Sequence, residues 1–221
     1  DGVGGMHLYS PWWLDNKTLD FPRGYHIEVW GGRDMPGAGF GGGIQNKPVG
    51  GGYGASFKDD QRKYYGATVG FSGRGEMIPN ADSYCEIDPT TVDKWGIPVL
   101  RFHWKWADYE IKQAKHMQET FRSIIVAMGG TPNGDMPGPE RMYGLSTGGS
   151  IIHELGGVRM GSDAGSSVLN ANCQAHEVKN VFCTDGGPFV SQADKNPTWT
   201  ILALSMRASE FIAAEMKNGG L

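Results

Sequence analysis

The stretch that most constrains the fold lies near the C-terminus. In a chain of 221 residues with 35 glycines and 12 prolines, the run from Thr198 to Met216 contains neither residue type. Asn196 and Pro197 precede it as an N-cap and a first-turn proline, and Gly219-Gly220 follows as a stop, so a long helix is expected here. Before it, Asn180-Val181-Phe182-Cys183-Thr184-Asp185-Gly186-Gly187 puts an apolar, β-favouring run against a tight turn, which predicts a buried strand. A helix that opens on Asn-Pro presents free backbone N–H groups and the positive end of its dipole, where an anionic group is expected.

Composition removes several classes. The formal net charge is −4 with acids and bases interspersed, which argues against nucleic acid or an anionic membrane as partner. Cys85, Cys173 and Cys183 form no CxxC pair, so neither a disulfide scaffold nor a zinc site is expected, and no His/Cys/Asp/Glu spacing suggests a metal. No apolar run approaches the ~18–20 residues of a membrane span. The chain is therefore read as soluble, cytoplasmic or periplasmic.

The glycine excess is local, with 15 of the 35 falling in residues 1–54. Gly37-Ala38-Gly39-Phe40-Gly41-Gly42 formally matches GxGxxG, yet Arg33-Asp34-Met35-Pro36 stands where the preceding hydrophobic strand should be, so a surface loop is expected. Strands are predicted at Tyr25–Trp30, Tyr64–Phe71, Ser83–Ile87 and Val99–Trp104. Because no helices separate them, they suggest an antiparallel sheet. Ile111, Ala114, Met117, Phe121, Ile124 and Met128 recur at helical steps and predict a helix over 108–128 whose apolar stripe is core. Residues 131–150, rich in Gly, Pro, Ser and Thr, read as a linker, with a domain boundary at 150.

Three passages then arrive in a telling order. His153 is followed by Gly156-Gly157-Val158-Arg159-Met160-Gly161; next comes the run ending Thr184-Asp185-Gly186; last comes Asn196-Pro197-Thr198-Trp199-Thr200-Ile201-Leu202-Ala203-Leu204. Over about residues 145–212 this resembles the C-terminal signature of the glucose–methanol–choline (GMC) flavin oxidoreductases, nearest to the gluconate, fructose and glucoside dehydrogenase branch. The resemblance implies a mixed α+β and α/β architecture. In it, residues 1–150 belong mostly to an antiparallel substrate domain backed by helices. Residues 151–221 carry the strand and helix that complete a Rossmann-type FAD-binding domain.

It also implies roles. His153 matches the histidine that accepts the hydroxyl proton of an alcohol, and Asn196 matches a position that orients the substrate oxygen. Asp185 and Gly186 match the turn near the FAD ribityl–phosphate part, and Asn196, Pro197 and Thr198 match the helix start facing the flavin. The expected activity is oxidation of a sugar or related alcohol by hydride transfer to FAD, with a non-oxygen electron acceptor. The family's own dinucleotide fingerprint is not found in this sequence, so a second polypeptide supplying the N-terminal FAD-binding half is expected. An electron-transfer subunit is a further expected partner, and like that branch the enzyme would work on the periplasmic side. The alternative from another class is a non-catalytic assembly or carbohydrate-binding module.

Residues outside the motifs have plainer expectations. Arg159 is read as a packing residue, and His7, His26, His103, His116 and His176 as surface or structural. Trp12, Trp13, Trp30 and Tyr53 either stack on sugar faces or pack in a core.

Overall fold

The computed structural model describes residues 6–12, 15–32, 54–150, 152–191 and 193–221. The chain forms two compact units that interleave in sequence: residues 1–75 with 108–145, and residues 76–107 with 146–221. The linker expected over 131–150 contains one of the three crossings between them, at 145/146; the other two fall at 75/76 and 107/108.

In the first unit, strands β1 (Met6–Tyr9), β2 (Tyr25–Gly32) and β3 (Thr68–Gly75) form an antiparallel sheet in that order. Helix α2 (Asp108–Ala127) packs on β3, and Gly129, at φ +78°, ends it in the left-handed conformation that favours glycine. Because strand side chains alternate, Tyr25 and Ile27 face one way and meet Phe21, Met117 and Phe121 in the core. Gly73 of β3 allows the close approach of α2, since a Cβ there would stand 2.3 Å from Met117 Sδ.

Helix α1 (Gly54–Tyr64) corrects the expectation of a strand from Tyr64, for β3 begins only at Thr68. Ala55 and Phe57 are too few apolar residues to show a helical period. The element has other support: Arg62 and Lys63 lie in its last turn, at the negative end of the helix dipole, and Arg62 pairs with Asp59 at 2.8 Å. The glycine motif at 37–42 lies outside the described residues.

In the second unit, β4 (Tyr84–Val92) pairs antiparallel with β5 (Pro98–His103), with an irregularity between Ile87 and Val92. One face of this hairpin is polar: Glu86 accepts from Arg101 Nε at 3.0 Å and lies 2.9 Å from His103 Nε2, and the His103 ring stacks on Tyr84. The other face carries Ile87, Leu100 and Phe102, which are 67%, 56% and 70% exposed. Asp88 holds the irregular turn, its Oδ1 accepting from the amides of Thr90 at 2.9 Å and Thr91 at 2.7 Å.

Those amide bonds, Thr90's first, hold the Asp88 carboxyl down to about 2. Because the folded value lies below the unfolded one, the turn's contribution is fully present above pH 4 or so and fades as pH falls towards 2. Carboxyl-carbon NMR should therefore show a titration midpoint near 2 for Asp88; a midpoint near the ordinary ~3.9 would mean that the turn is not formed.

Helix α3 (Thr198–Asn218) fulfils the C-terminal expectation, including the stop: Gly219 is left-handed at φ +72°. One detail differs. Pro197, not Asn196, occupies the N-cap position, with no side-chain cap bond. Pro197 has helical angles of −84° and −11°, but the first helical hydrogen bond ends on its own carbonyl, which places the cap one residue later than the Asn-Pro pattern suggested.

The run 180–185 is not the buried strand expected. It makes one isolated bridge, Gln174 to Phe182, and Val181 is 50% exposed. A β-favouring composition makes a strand only where neighbours offer a ladder, and among the described residues only Gln174 does so. Buried Leu169, Cys173, Pro188 and Ala208 form the interior of this unit, and all three cysteines are free thiols. Among the described residues, no helix is long and apolar enough to cross a membrane.

Candidate functional site

The site is built where the chain after His153 runs beside the turn after Thr184. Gly156 N donates to Gly186 O at 3.0 Å, Val158 N to Gly187 O at 3.2 Å, and Met160 N to Pro188 O at 2.9 Å. These bonds anchor the segment that carries His153. The histidine itself is half-buried and sits at φ +84°, in the left-handed region. A non-glycine residue held there is strained by about 1–2 kcal/mol, and such positions gather at functional sites.

Gly186 is required by packing. A Cβ at this position would lie 2.4 Å from Leu155 Cδ2 and 3.8 Å from Ile201 Cδ1. The turn is therefore pressed between the His153 segment and the first turns of α3. Ser205 Oγ of α3 also donates to Thr184 O, fixing the helix to the same turn.

Asp185 shapes this turn from within. Its Oδ1 accepts Gly187 N at 2.7 Å and the Cys183 thiol at 3.0 Å. The thiol bond first, and then the Gly187 amide, lower its pKa below the usual carboxylate value, so it is anionic at neutral pH. Burial pushes the Cys183 thiol up, leaving it protonated and able to donate.

At the start of α3 the first intrahelical bond runs from Ile201 N to Pro197 O at 2.9 Å. The amides of Thr198, Trp199 and Thr200 precede that bond, and no side-chain cap covers them. Pro197 is buried, while Asn196 is exposed beside it. This uncapped end of a 21-residue helix suits an anionic or electron-rich group.

The other named residues have observable duties. Arg159 Nη2 donates to Ser166 O at 3.0 Å, and the His176 ring meets Ser167 Oγ at 3.1 Å. His116 packs edge-on against Trp12 and lies 2.9 Å from the Tyr25 hydroxyl. Trp12 thus belongs to the core periphery, and Trp30 is 50% exposed; Trp13 and Tyr53 lie outside the described residues. One grouping escaped the sequence. His7, His26 and Glu28 converge through strand pairing, and only the alternation of His26 and Glu28 along β2 hints at it.

Residues 79–205 match the family model described as GMC oxidoreductase, which takes in His153, Asp185 and the Asn196–Thr198 helix start. The chain belongs to the GMC oxidoreductase family.

Among relatives of this GMC chain, the gluconate 2-dehydrogenase flavoprotein of Pantoea cypripedii is 28% identical over 172 residues, covering 76% of this chain and 28% of that protein. The fructose dehydrogenase large subunit of Gluconobacter japonicus is 28% identical, covering 65% of this chain and 25% of that protein. A C-glycoside 3-oxidase of Arthrobacter globiformis is 33% identical, covering 58% and 24%. The GMC chain thus spans about a quarter of the length of these relatives.

Proposed function

We propose that this chain is the catalytic C-terminal portion of a flavoenzyme that oxidises an alcohol group of a sugar or related polyol. The observation that supports this is the left-handed His153, three residues before Gly156, whose amide bonds the Gly186 carbonyl in the turn that Leu155 and Ile201 of α3 also approach. When bound, FAD supplies the hydride-accepting chemistry. His153 accepts the hydroxyl proton at an imidazole nitrogen, a task that suits a group whose ordinary pKa is near neutrality. Asn196, exposed and not needed as a cap, donates its amide N–H to the substrate oxygen and orients it.

The amides of Thr198 and its neighbours, with Pro197 fixing the helix entry, favour negative charge at the flavin. Gly186, which has no side chain, and Asp185 form a turn that would hold the cofactor. Two surfaces support a larger assembly. The Ile87–Leu100–Phe102 face of the hairpin is bare, and α3 exposes Trp199, Leu202, Met206 and Met216 along one side. A Rossmann-type FAD-binding half, joined to this portion or carried on a second polypeptide, would cover such faces. The names of the gluconate and fructose relatives favour a dehydrogenase, and the words large subunit in the second favour a further subunit; an electron-transfer subunit is the partner we assign to that place.

An absorption spectrum of the purified protein, read beside the intact mass of every chain present, tests this. A flavin spectrum bleached by sugars or polyols, accompanied by the FAD-binding half, is the expected result. A colourless preparation of the assembled protein, or a flavin that no alcohol bleaches, would favour a non-catalytic module instead.

A further inference from the structure

We propose that His7, His26 and Glu28 form a binding site for a late first-row divalent cation of the zinc class, independent of the flavin reading. Tyr25 and Ile27 turn one face of β2 to the core, so His26 and Glu28 share the opposite face. The register sets His7 of β1 directly across from Glu28. His26 and Glu28 are only 1% and 6% exposed, and the rings of His7 and His26 lie 4.8 Å apart. One donor atom from each of the three residues lies within 4.8 Å of the others.

The separations fit shared ligation better than hydrogen bonding. His26 Nε2 and Glu28 Oε1 are 3.9 Å apart, beyond hydrogen-bond reach. Two donors on one ion at about 2.0–2.2 Å stand roughly 3–4.4 Å apart, so this pair already spans an ion. His7 stands on β1, at the edge of the described sheet. Arg74 Nη2 holds Glu28 Oε2 at 3.1 Å, which leaves Oε1 as a single directed ligand. Two imidazoles and one carboxylate oxygen are the donor set of open zinc sites, with a fourth position for water. The nearby guanidinium opposes the ion's charge, so binding weaker than at a site without it is expected.

Isothermal titration of the full chain with zinc chloride in metal-free buffer tests the site. One ion per chain should bind, and His7→Ala and Glu28→Gln should each weaken it at least tenfold, while His103→Ala leaves it unchanged. Zinc should also raise the melting temperature of the wild type but not of His7→Ala. If Glu28→Gln does not fold, His7→Ala on the edge strand decides. Absence of saturable binding, or equal affinity in His7→Ala, overturns the proposal.

Discussion

Exchange of His153 for alanine in the assembled enzyme should leave the flavin bound and slow its substrate-driven bleaching by about 10²–10⁴-fold, the usual contribution of a positioned general base. The backbone bears on how that loss is read. His153 sits at φ +84°, and alanine is less at ease there than asparagine, which visits the left-handed region readily. His153→Asn therefore keeps the local path while removing the base. Both variants should lose rate together, with flavin content unchanged, if proton acceptance is the role. Full activity in either would sink the assignment. Recovery in His153→Asn alone would show that the backbone, not the imidazole, matters.

Tyr25→Ala should destabilise the first unit by about 3–5 kcal/mol, the range for removing a large buried aromatic side chain. Tyr25 is fully buried among Phe21, Ile27, Met117 and Phe121. Its hydroxyl lies 2.9 Å from His116 Nδ1 and 3.0 Å from Thr120 Oγ1, tying β2 to α2. Burial pushes that hydroxyl's pKa up and His116's down, so both stay neutral at pH 7. Tyr25→Phe removes only the polar link and should cost about 1 kcal/mol. Urea unfolding of the two variants separates packing from hydrogen bonding. A loss under about 1 kcal/mol for Tyr25→Ala would mean that this cluster is not the core of its unit.

How far the sequence foretells the structure differs by element, for physical reasons. Helices α2 and α3 were legible because each combines a long run of helix-compatible residues with glycines at the end; strands β2, β4 and β5 were legible through β-favouring composition. Helix α1 was not, because its polar residues carry no apolar period. The run 180–185 misled because strand propensity cannot reveal whether a neighbouring ladder exists. Asn196 misled because an Asn-Pro start permits two cap positions, and local sequence does not choose between them.

The motifs themselves were legible, and so was their order. Their mutual anchoring was not: the bonds from Gly156, Val158 and Met160 to the 186–188 carbonyls join residues about thirty positions apart. The gathering of His7 with His26 and Glu28 depends in the same way on strand register, which no local pattern encodes.

The threefold crossing of the chain between its two units has a consequence for biosynthesis. The first unit is complete once Leu145 has left the ribosome, but the second also needs Ser146–Leu221. Until then residues 76–107 wait as a lone two-stranded hairpin, a form that is marginally stable by itself. Its Ile87, Leu100 and Phe102 face is open to chaperones or to other nascent chains at this stage, and residues 146–221 do not bury it. No single scission gives either unit alone, because any fragment holding one whole unit also carries an orphaned piece of the other. Slow translation after Leu145 would therefore lengthen the interval in which this hairpin stands without the rest of its unit.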